Sequence, residues 1–224
     1  MQLAVTVHPP TPISALAARL SIAATGAALV LLLSLHVLSP EYSPAWRMVS
    51  EYANGHYSWV LSLMFAAYGL SILALAVAIR SKVQTRRDRI GLFLLTLSGV
   101  GATSAATFDL NQAALHELSG ILGIMCLPIA AVLITPRLAE QPGWVASKKL
   151  LLFLTNLTWA SVLLWMATFV VMVATFAYAL GGNLPTTPPE ELPAGVVALV
   201  GWTNRLLMLS AWAWVSSVAW QSRT

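Results

Sequence analysis

The sequence is poor in charge and almost free of cysteine. Only 9% of its 224 residues are charged and 58% are hydrophobic, whereas a soluble domain has roughly 25% charged residues. This composition excludes an ordinary soluble protein and predicts a membrane protein. The single cysteine, Cys126, lies in an apolar stretch, so the chain cannot form an intramolecular disulfide.

Apolar segments fill most of the chain. A helix needs about 20 mostly apolar residues to cross the hydrocarbon core of a bilayer, and six segments qualify: 15–38, 57–79, 90–108, 114–136, 150–180 and 196–219. The first is too long for a signal-peptide core and is interpreted as a span. We therefore predict an all-α polytopic membrane protein. Residues 1–224 form one domain, a six-transmembrane-helix bundle with a short interfacial helix between spans one and two.

The basic residues collect in alternate connections between these segments. The second-to-third connection reads RSKVQTRRDR, and the fourth-to-fifth connection contains Arg137, Lys148 and Lys149. By the positive-inside rule both connections face the cytoplasm. This predicts a multi-pass protein of the inner cell membrane with cytoplasmic N- and C-termini. The net charge of +4 follows from this asymmetry and indicates no nucleic-acid partner.

Small residues indicate how the middle spans pack. Ser98, Ala102 and Ala106 recur every four residues in the third span, and Gly120 and Gly123 lie in the fourth. Faces of this kind allow two helix backbones to approach closely. We expect the third and fourth spans to pack as an antiparallel pair, with the third span at the centre of the bundle.

Titratable side chains gather at one end of the spans: His36, His56, Asp109, His116 and Glu117. Arg205 lies deeper, about 13 Å along the sixth span. A charge inside a membrane is costly and normally finds a partner, so we expect Arg205 to pair with Glu117 or Asp109. Trp202, three residues earlier, is placed to cover the guanidinium. Arg205 either fastens span six to its neighbours or binds a ligand.

The stretch VSEYANGHYSW, residues 49 to 59, is a polar island between two apolar segments. Ser43 and Pro44 are typical of a helix start, which predicts the short interfacial helix. Tyrosine and tryptophan favour headgroup depth, and Asn54-Gly55 predicts a turn into span two.

Two longer runs carry a family resemblance. EYSPAWRMVSEYANGHYSW and, after a basic loop, GVGATSAATFDLNQAALHELSGILG resemble the six-span prokaryotic family catalogued as domain of unknown function 998. The matching positions are Tyr42, Ser43, Pro44, Val49, Ser50, Glu51, Phe108, Asp109 and His116. The proline usual between Phe and Asp is absent here, and the leucine usual after the Glu is Tyr52. The resemblance implies a fold and no activity.

Two classes of function remain open. The first is a binding protein: an accessory subunit within a larger membrane complex, or a bundle that holds lipid or pigment, with membrane lipids and membrane proteins as partners. Its candidate binding residues are Glu51, His56, Glu117, Arg205 and Trp202. The alternative is a membrane-embedded lipid hydrolase or acyltransferase, with Ser50 as nucleophile, His116 as base and Asp109 as its orienting acid. The chain lacks the G-x-S-x-G signature.

No resident metal or cofactor is predicted. The chain has neither H-E-x-x-H nor paired cysteines, and a zinc-like set would have to combine His36, His56 and His116 with Asp109. Haem between His36 and His116, or a bound pigment, stays open. Transport is disfavoured because the span centres carry no acidic residue.

Overall fold

The computed structural model describes residues 11–108, 112–182, 189 and 191–223. In this part the chain forms six α-helices and no strand, which confirms the all-α prediction. The helices are α1 (Pro12–Leu38), α2 (Ser58–Ile79), α3 (Arg86–Ser104), α4 (Ala113–Leu138), α5 (Lys148–Ala179) and α6 (Val200–Ser222). Each overlaps one of the six predicted segments.

Capping side chains define where α1 and α3 begin. Thr11 accepts a hydrogen bond from the Ser14 N–H at 3.2 Å, and Pro12 occupies the first helical position. Thr85 and Asp88 form a capping box: Asp88 N–H donates to Thr85 Oγ1 at 3.2 Å, and Thr85 N–H donates to the Asp88 carboxylate at 3.0 Å. Burial acts to raise the pKa of Asp88, but the hydrogen bonds from Thr85 and Gln84 hold it below its usual value.

Consecutive helices are antiparallel neighbours, and α6 also packs on α1, so the six helices form a closed ring. Hydroxyl hydrogen bonds join α1 to α2 and α5 to α6: Thr25–Ser71 at 2.6 Å, Ser161–Ser210 at 2.8 Å and Thr168–Thr203 at 2.6 Å. Residue numbers rise along α5 as they fall along α6 in these pairs. Helices α5 and α6 are therefore antiparallel, and α6 lies between α5 and α1 because it packs on both.

The close packing of α3 on α4 is confirmed. Ser98 Oγ donates to the Gly123 carbonyl at 2.9 Å, and a Cβ added to Gly101 would lie 2.6 Å from Gly123 N. The prediction that the third span is central is wrong. In α6, 15 of 23 residues are buried, against 7 of 19 in α3, because α6 also contacts α2 across the ring.

Four stretches are long and apolar enough to cross a membrane: Pro12–Leu38, Ser58–Lys82, Ala113–Leu138 and Pro142–Ala179. This indicates a membrane protein. Helices α3 and α6 are not among them. The first begins with four charged residues, and the second carries Asn204 and Arg205. A helix enclosed by other helices can keep polar side chains, which accounts for the lower hydropathy of α6.

The two ends of the bundle differ. At the basic end lie Arg80 and Lys82 after α2, Arg137 in the last turn of α4 and Lys148 at the start of α5. The opposite end, where α2, α4 and α6 begin, we call the cap end. There residues 39–57, the cap segment, connect α1 to α2 and fold over the bundle.

The cap segment contains the predicted short helix in a different form. It is a 3-10 helix, Val49–Asn54, and it begins later than Ser43 and Pro44 indicate. Val49 and Tyr52 are each 1% exposed. The segment is therefore packed into the bundle, and Tyr52 belongs to the core. The reason is that α6 offers the segment hydrogen-bond partners at the cap end.

Two prolines, Pro128 and Pro136, lie inside α4. Pro128 is buried, and it lies on the face that turns toward the interior of the ring.

Candidate functional site

Arg205 is the best-connected side chain at the cap end. It is 4% exposed. Its Nε donates to His36 Nε2 at 2.7 Å, and its Nη2 donates to the Tyr52 hydroxyl at 3.2 Å. Its Nη1 donates to the carbonyls of Arg47 at 2.8 Å and Gly201 at 3.0 Å. We call Arg205 and these four partners the Arg205 clamp, because it joins α6 to α1 and to the cap segment.

The clamp requires a neutral His36. Its Nδ1 lies 2.7 Å from the Leu32 carbonyl, which can only accept, so Nδ1 carries the proton. Nε2 then keeps a lone pair and accepts the Arg205 Nε–H. The Tyr52 ring lies 5.9 Å from the guanidinium carbon and adds a cation–π contact. Carbonyls, a lone pair and an aromatic ring thus surround the charge.

The predicted partners of Arg205 differ from the observed ones. Within the described part of the chain Arg205 forms no salt bridge, and Glu117 is exposed on α4. Asp109 lies outside the described residues. Trp202 is 54% exposed, and Tyr52 takes the place expected for it. The cause is the ring order, which turns Arg205 toward α1 rather than toward α3 and α4.

Helix α6 holds the cap segment at two further points. Gly201 N–H donates to the Ala45 carbonyl at 3.0 Å, and Asn204 Oδ1 accepts from the Val49 N–H at 3.0 Å. A Cβ on Gly201 would lie 2.7 Å from the Arg47 carbonyl oxygen. Glycine is therefore needed at position 201 for the segment to approach this closely.

Glu51, a predicted binding residue, is used inside the cap segment. Its carboxylate accepts from Arg47 Nη1 at 3.0 Å and from the Met48 N–H at 3.3 Å. Arg47 stacks on Trp46 at 3.9 Å and donates through Nη2 to the Pro189 carbonyl at 2.7 Å. Glu51 thereby positions Arg47, which ties the cap segment to the connection between α5 and α6.

His56 is exposed and packs edge-on against Tyr57, with ring centroids 5.0 Å apart. The described residues contain no group of three or more side chains able to hold a metal ion. The haem arrangement between His36 and His116 does not fit, because both ring nitrogens of His36 are engaged in hydrogen bonds.

A cavity of about 470 Å³ lies beside the clamp, within the ~300–1,000 Å³ range of ligand pockets. Residues of α2 to α6 line it, and Met48, Val49 and Ser50 of the cap segment cover it. Most of the wall is apolar, including Phe65, Leu127, Val162, Leu207 and Met208. On α4 the lining extends from His116 to Pro128, about 18 Å at 1.5 Å per residue.

The most exposed part of the cavity lining belongs to α4. Near the basic end α4 and α5 are joined by a hydrogen bond from Thr155 Oγ1 to Thr135 Oγ1 at 2.8 Å. Toward the cap end the lining residues Glu117 and Ile121 are exposed, Ile121 to 59%. We infer that the mouth is the gap between α4 and α5 on the cap side.

Polar side chains collect at the cap end of the cavity. Ser50, His116, Glu117 and Asn204 line it there. His116 Nδ1 lies 2.9 Å from the Phe108 carbonyl and donates to it, so Nε2 keeps its lone pair. Asn204 is 7% exposed and uses only its Oδ1, so within the described residues its Nδ2 has no hydrogen-bond partner.

Trp165 on α5 adds a further donor to the wall. Its Nε1 is buried and has no partner among the described residues. We call Ser50, His116, Glu117, Asn204 and Trp165 the polar end of the cavity. Neither Asn204 nor Trp165 stands out from the sequence. The one available signal is that Asn204 immediately precedes Arg205, an arginine inside the sixth predicted span.

The predicted catalytic set is only partly assembled. Ser50 and His116 line the same cavity, yet no hydrogen bond joins them in the described part of the structure. Asp109 lies outside the described residues, so its role as the orienting acid stays a prediction.

A family model with the description "Protein of unknown function (DUF998)" matches residues 22–221. The match therefore extends through α5 and α6, beyond the motifs near the first four helices. Neither the curated proteins nor the solved structures contain a significant match.

Proposed function

The chain belongs to the family of proteins of unknown function DUF998, and we propose that this member is a six-span membrane protein that holds one lipid-like amphipathic molecule. The observation that carries the proposal is the apolar cavity of about 470 Å³ that ends in polar side chains. Its mouth opens sideways, where a membrane would supply lipid. An apolar chain would occupy the cavity and the head of the molecule would lie at the polar end.

In this proposal α3 and α6 also cross the membrane. Their antiparallel packing between longer apolar helices supports this arrangement. The basic end faces the cytoplasm with both chain termini, in the inner cell membrane, and the cap end faces outward. The apolar outer face of α5, which includes Leu163 at 55% and Val170 at 65% exposure, then lies against lipid or a membrane-protein partner.

Occupancy of the cavity can be tested with a filling substitution and a matched control. Gly120 lines the cavity, and a Cβ there meets nothing within 4 Å. Gly120→Leu should therefore fill the cavity without a backbone clash. Gly26 on α1 is equally open and does not line it, so Gly26→Leu introduces the same side chain elsewhere.

Native mass spectrometry of protein extracted in mild detergent is the measurement. We expect one lipid bound to the wild type and to Gly26→Leu, and strong loss of that lipid in Gly120→Leu. A wild type without retained lipid, or a Gly120→Leu variant that retains it fully, contradicts the proposal.

A lipid hydrolase or acyltransferase is the second candidate, favoured by the position of Ser50 and His116 in one cavity. The lone pair on His116 Nε2 suits a general base. Turnover of a lipid ester by the purified protein, lost in both Ser50→Ala and His116→Gln, would support this candidate. Equal turnover in wild type and Ser50→Ala excludes Ser50 as the nucleophile.

A further inference from the structure

Within the described part of the chain, the polar end of the cavity contains both acceptors and donors without a hydrogen-bond partner, and no lysine or arginine lines it. Resting on the proposed function, we infer that the cavity selects an uncharged lipid with a hydroxyl head and an ester carbonyl next to it, the chemistry of a neutral acylglycerol. Each part of this assignment follows from a different group in the cavity.

The first step concerns the acceptors. Glu117 presents a carboxylate, and His116 presents the Nε2 lone pair, because its Nδ1 proton is given to Phe108. Both groups lie in the first turns of α4, at the mouth of the cavity. A ligand head that meets them must donate hydrogen bonds, as a hydroxyl does.

The second step concerns the donors. Asn204 is 7% exposed, and its Nδ2 has no partner among the described residues; Trp165 Nε1 is buried in the same condition. The Thr168–Thr203 hydrogen bond fixes the register of α5 against α6, so Asn204 and Trp165 lie within one helical turn of each other along the bundle. A buried donor without an acceptor is destabilising; Trp165 Nε1 is such a donor, and an ester carbonyl would satisfy it.

The third step concerns charge. No lysine or arginine is among the described residues that line the cavity. Arg205 is committed to the clamp, and Arg47 is committed to Glu51 and Pro189. A phosphate or carboxylate head would therefore meet the Glu117 carboxylate without a counter-charge, and two like charges in one site are unfavourable.

The fourth step concerns why the head group, rather than the acyl chain, determines which lipid binds. Lipid tails are as apolar as the cavity wall, so moving an acyl chain from the bilayer into the cavity gains little hydrophobic free energy. Discrimination among membrane lipids must then come from the polar end and from shape.

Three probes with the same oleoyl or oleyl chain separate these steps: monooleoylglycerol, oleyl alcohol and oleate. Competition for delipidated full-length protein in detergent, at a pH where oleate is ionised, should rank monooleoylglycerol first. We expect about a tenfold advantage over oleate, the effect of one good hydrogen-bonding difference.

Two conservative variants test the individual groups. Glu117→Gln removes the negative charge and should narrow the difference between monooleoylglycerol and oleate. Trp165→Phe removes the Nε1 donor together with part of the ring, so it should weaken monooleoylglycerol several-fold more than oleyl alcohol, which has no carbonyl. A merely structural role of Trp165 would weaken both ligands equally, which would overturn its assignment.

The failures are distinguishable. Oleate binding as tightly as monooleoylglycerol would overturn the ligand class while leaving lipid binding intact. If no probe binds and the native protein retains no lipid, the proposed function itself fails.

Discussion

The Arg205 clamp and the polar end of the cavity lie side by side under the same cap segment, yet they use their hydrogen-bonding groups to very different extents. In the clamp, all three nitrogens of the Arg205 guanidinium donate to acceptors in the protein. In the polar end, Asn204 Nδ2 and Trp165 Nε1 have no partner among the described residues. A saturated buried cluster stabilises one arrangement of the chain, whereas an unsaturated one beside a cavity favours an added molecule.

The two clusters meet on α6. Asn204 and Arg205 are adjacent, and Asn204 belongs to both regions, since its Oδ1 holds the Val49 N–H while the residue lines the cavity. The comparison therefore predicts that substitutions on one side change stability and that substitutions on the other change ligand binding.

The largest expected effect is on the clamp side. Arg205→Met should destabilise the protein by about 3 kcal/mol or more, because several buried acceptors lose their donor and each costs about 1–3 kcal/mol. Thermal unfolding in detergent measures it. Arg19→Met, which removes an exposed arginine from α1, should have little effect. An unchanged stability in Arg205→Met combined with lost lipid would make Arg205 a ligand-binding residue and break the comparison.

A smaller loss is expected where α6 meets the cap segment. Gly201→Ala should cost about 1–3 kcal/mol, the usual range for overpacking, because its Cβ would lie 2.7 Å from the Arg47 carbonyl oxygen. Gly26→Ala meets nothing within 4 Å and should stabilise α1 slightly. Limited proteolysis within residues 39–57 should be faster in Gly201→Ala alone. Equal protection of the cap segment in both variants would show that its contact with α6 is unimportant.

The pH dependence of stability tests the Asp88 cap of α3, which lies at the basic end, away from the clamp and the cavity. The pKa of Asp88 is lowered in the folded state, so its stabilisation is present above the unfolded pKa and is lost as pH falls through the folded one. At neutral pH Asp88→Asn should cost about 1 kcal/mol, as for a lost helix cap, and the difference from wild type should shrink in acid. Glu140→Gln, an exposed carboxylate near the same end, is the control; a pH-independent difference for Asp88→Asn contradicts this account.

The smallest effect is expected at Ser50. Its side chain makes no hydrogen bond with the described residues although it lines the cavity. Ser50→Ala should change the free energy of unfolding by less than about 0.5 kcal/mol, because it breaks no hydrogen bond with the described residues. A large loss of stability would show that Ser50 belongs to the saturated group.

The helices could be predicted because each one coincides with an apolar segment of the sequence. Apolar length placed all six, and the small residues around Gly101 and Gly123 identified the α3–α4 contact. The start of the short helix was misplaced because Ser43 and Pro44 are good local signals that the contact with Gly201 and Asn204 overrides.

The partner of Arg205 could not be predicted because it depends on which helices are neighbours. His36 and Arg205 are 169 residues apart, and depth alone places His36, His116 and Glu117 at similar levels. Only the closed ring brings α6 against α1. The cavity likewise depends on the separation of α4 from α5 toward the cap end, which no single segment encodes.

Pro128 interrupts the hydrogen bonding of α4 where this helix lines the cavity. It has no N–H, so the Ile124 carbonyl lacks its usual helical donor, and both residues line the cavity. We expect α4 to bend at this position more readily than an unbroken helix, while Ser98 and Gly101 hold its cap-end half against α3. Such bending would change the width of the cavity to suit acyl chains of different thickness, and it would leave the Arg205 clamp undisturbed.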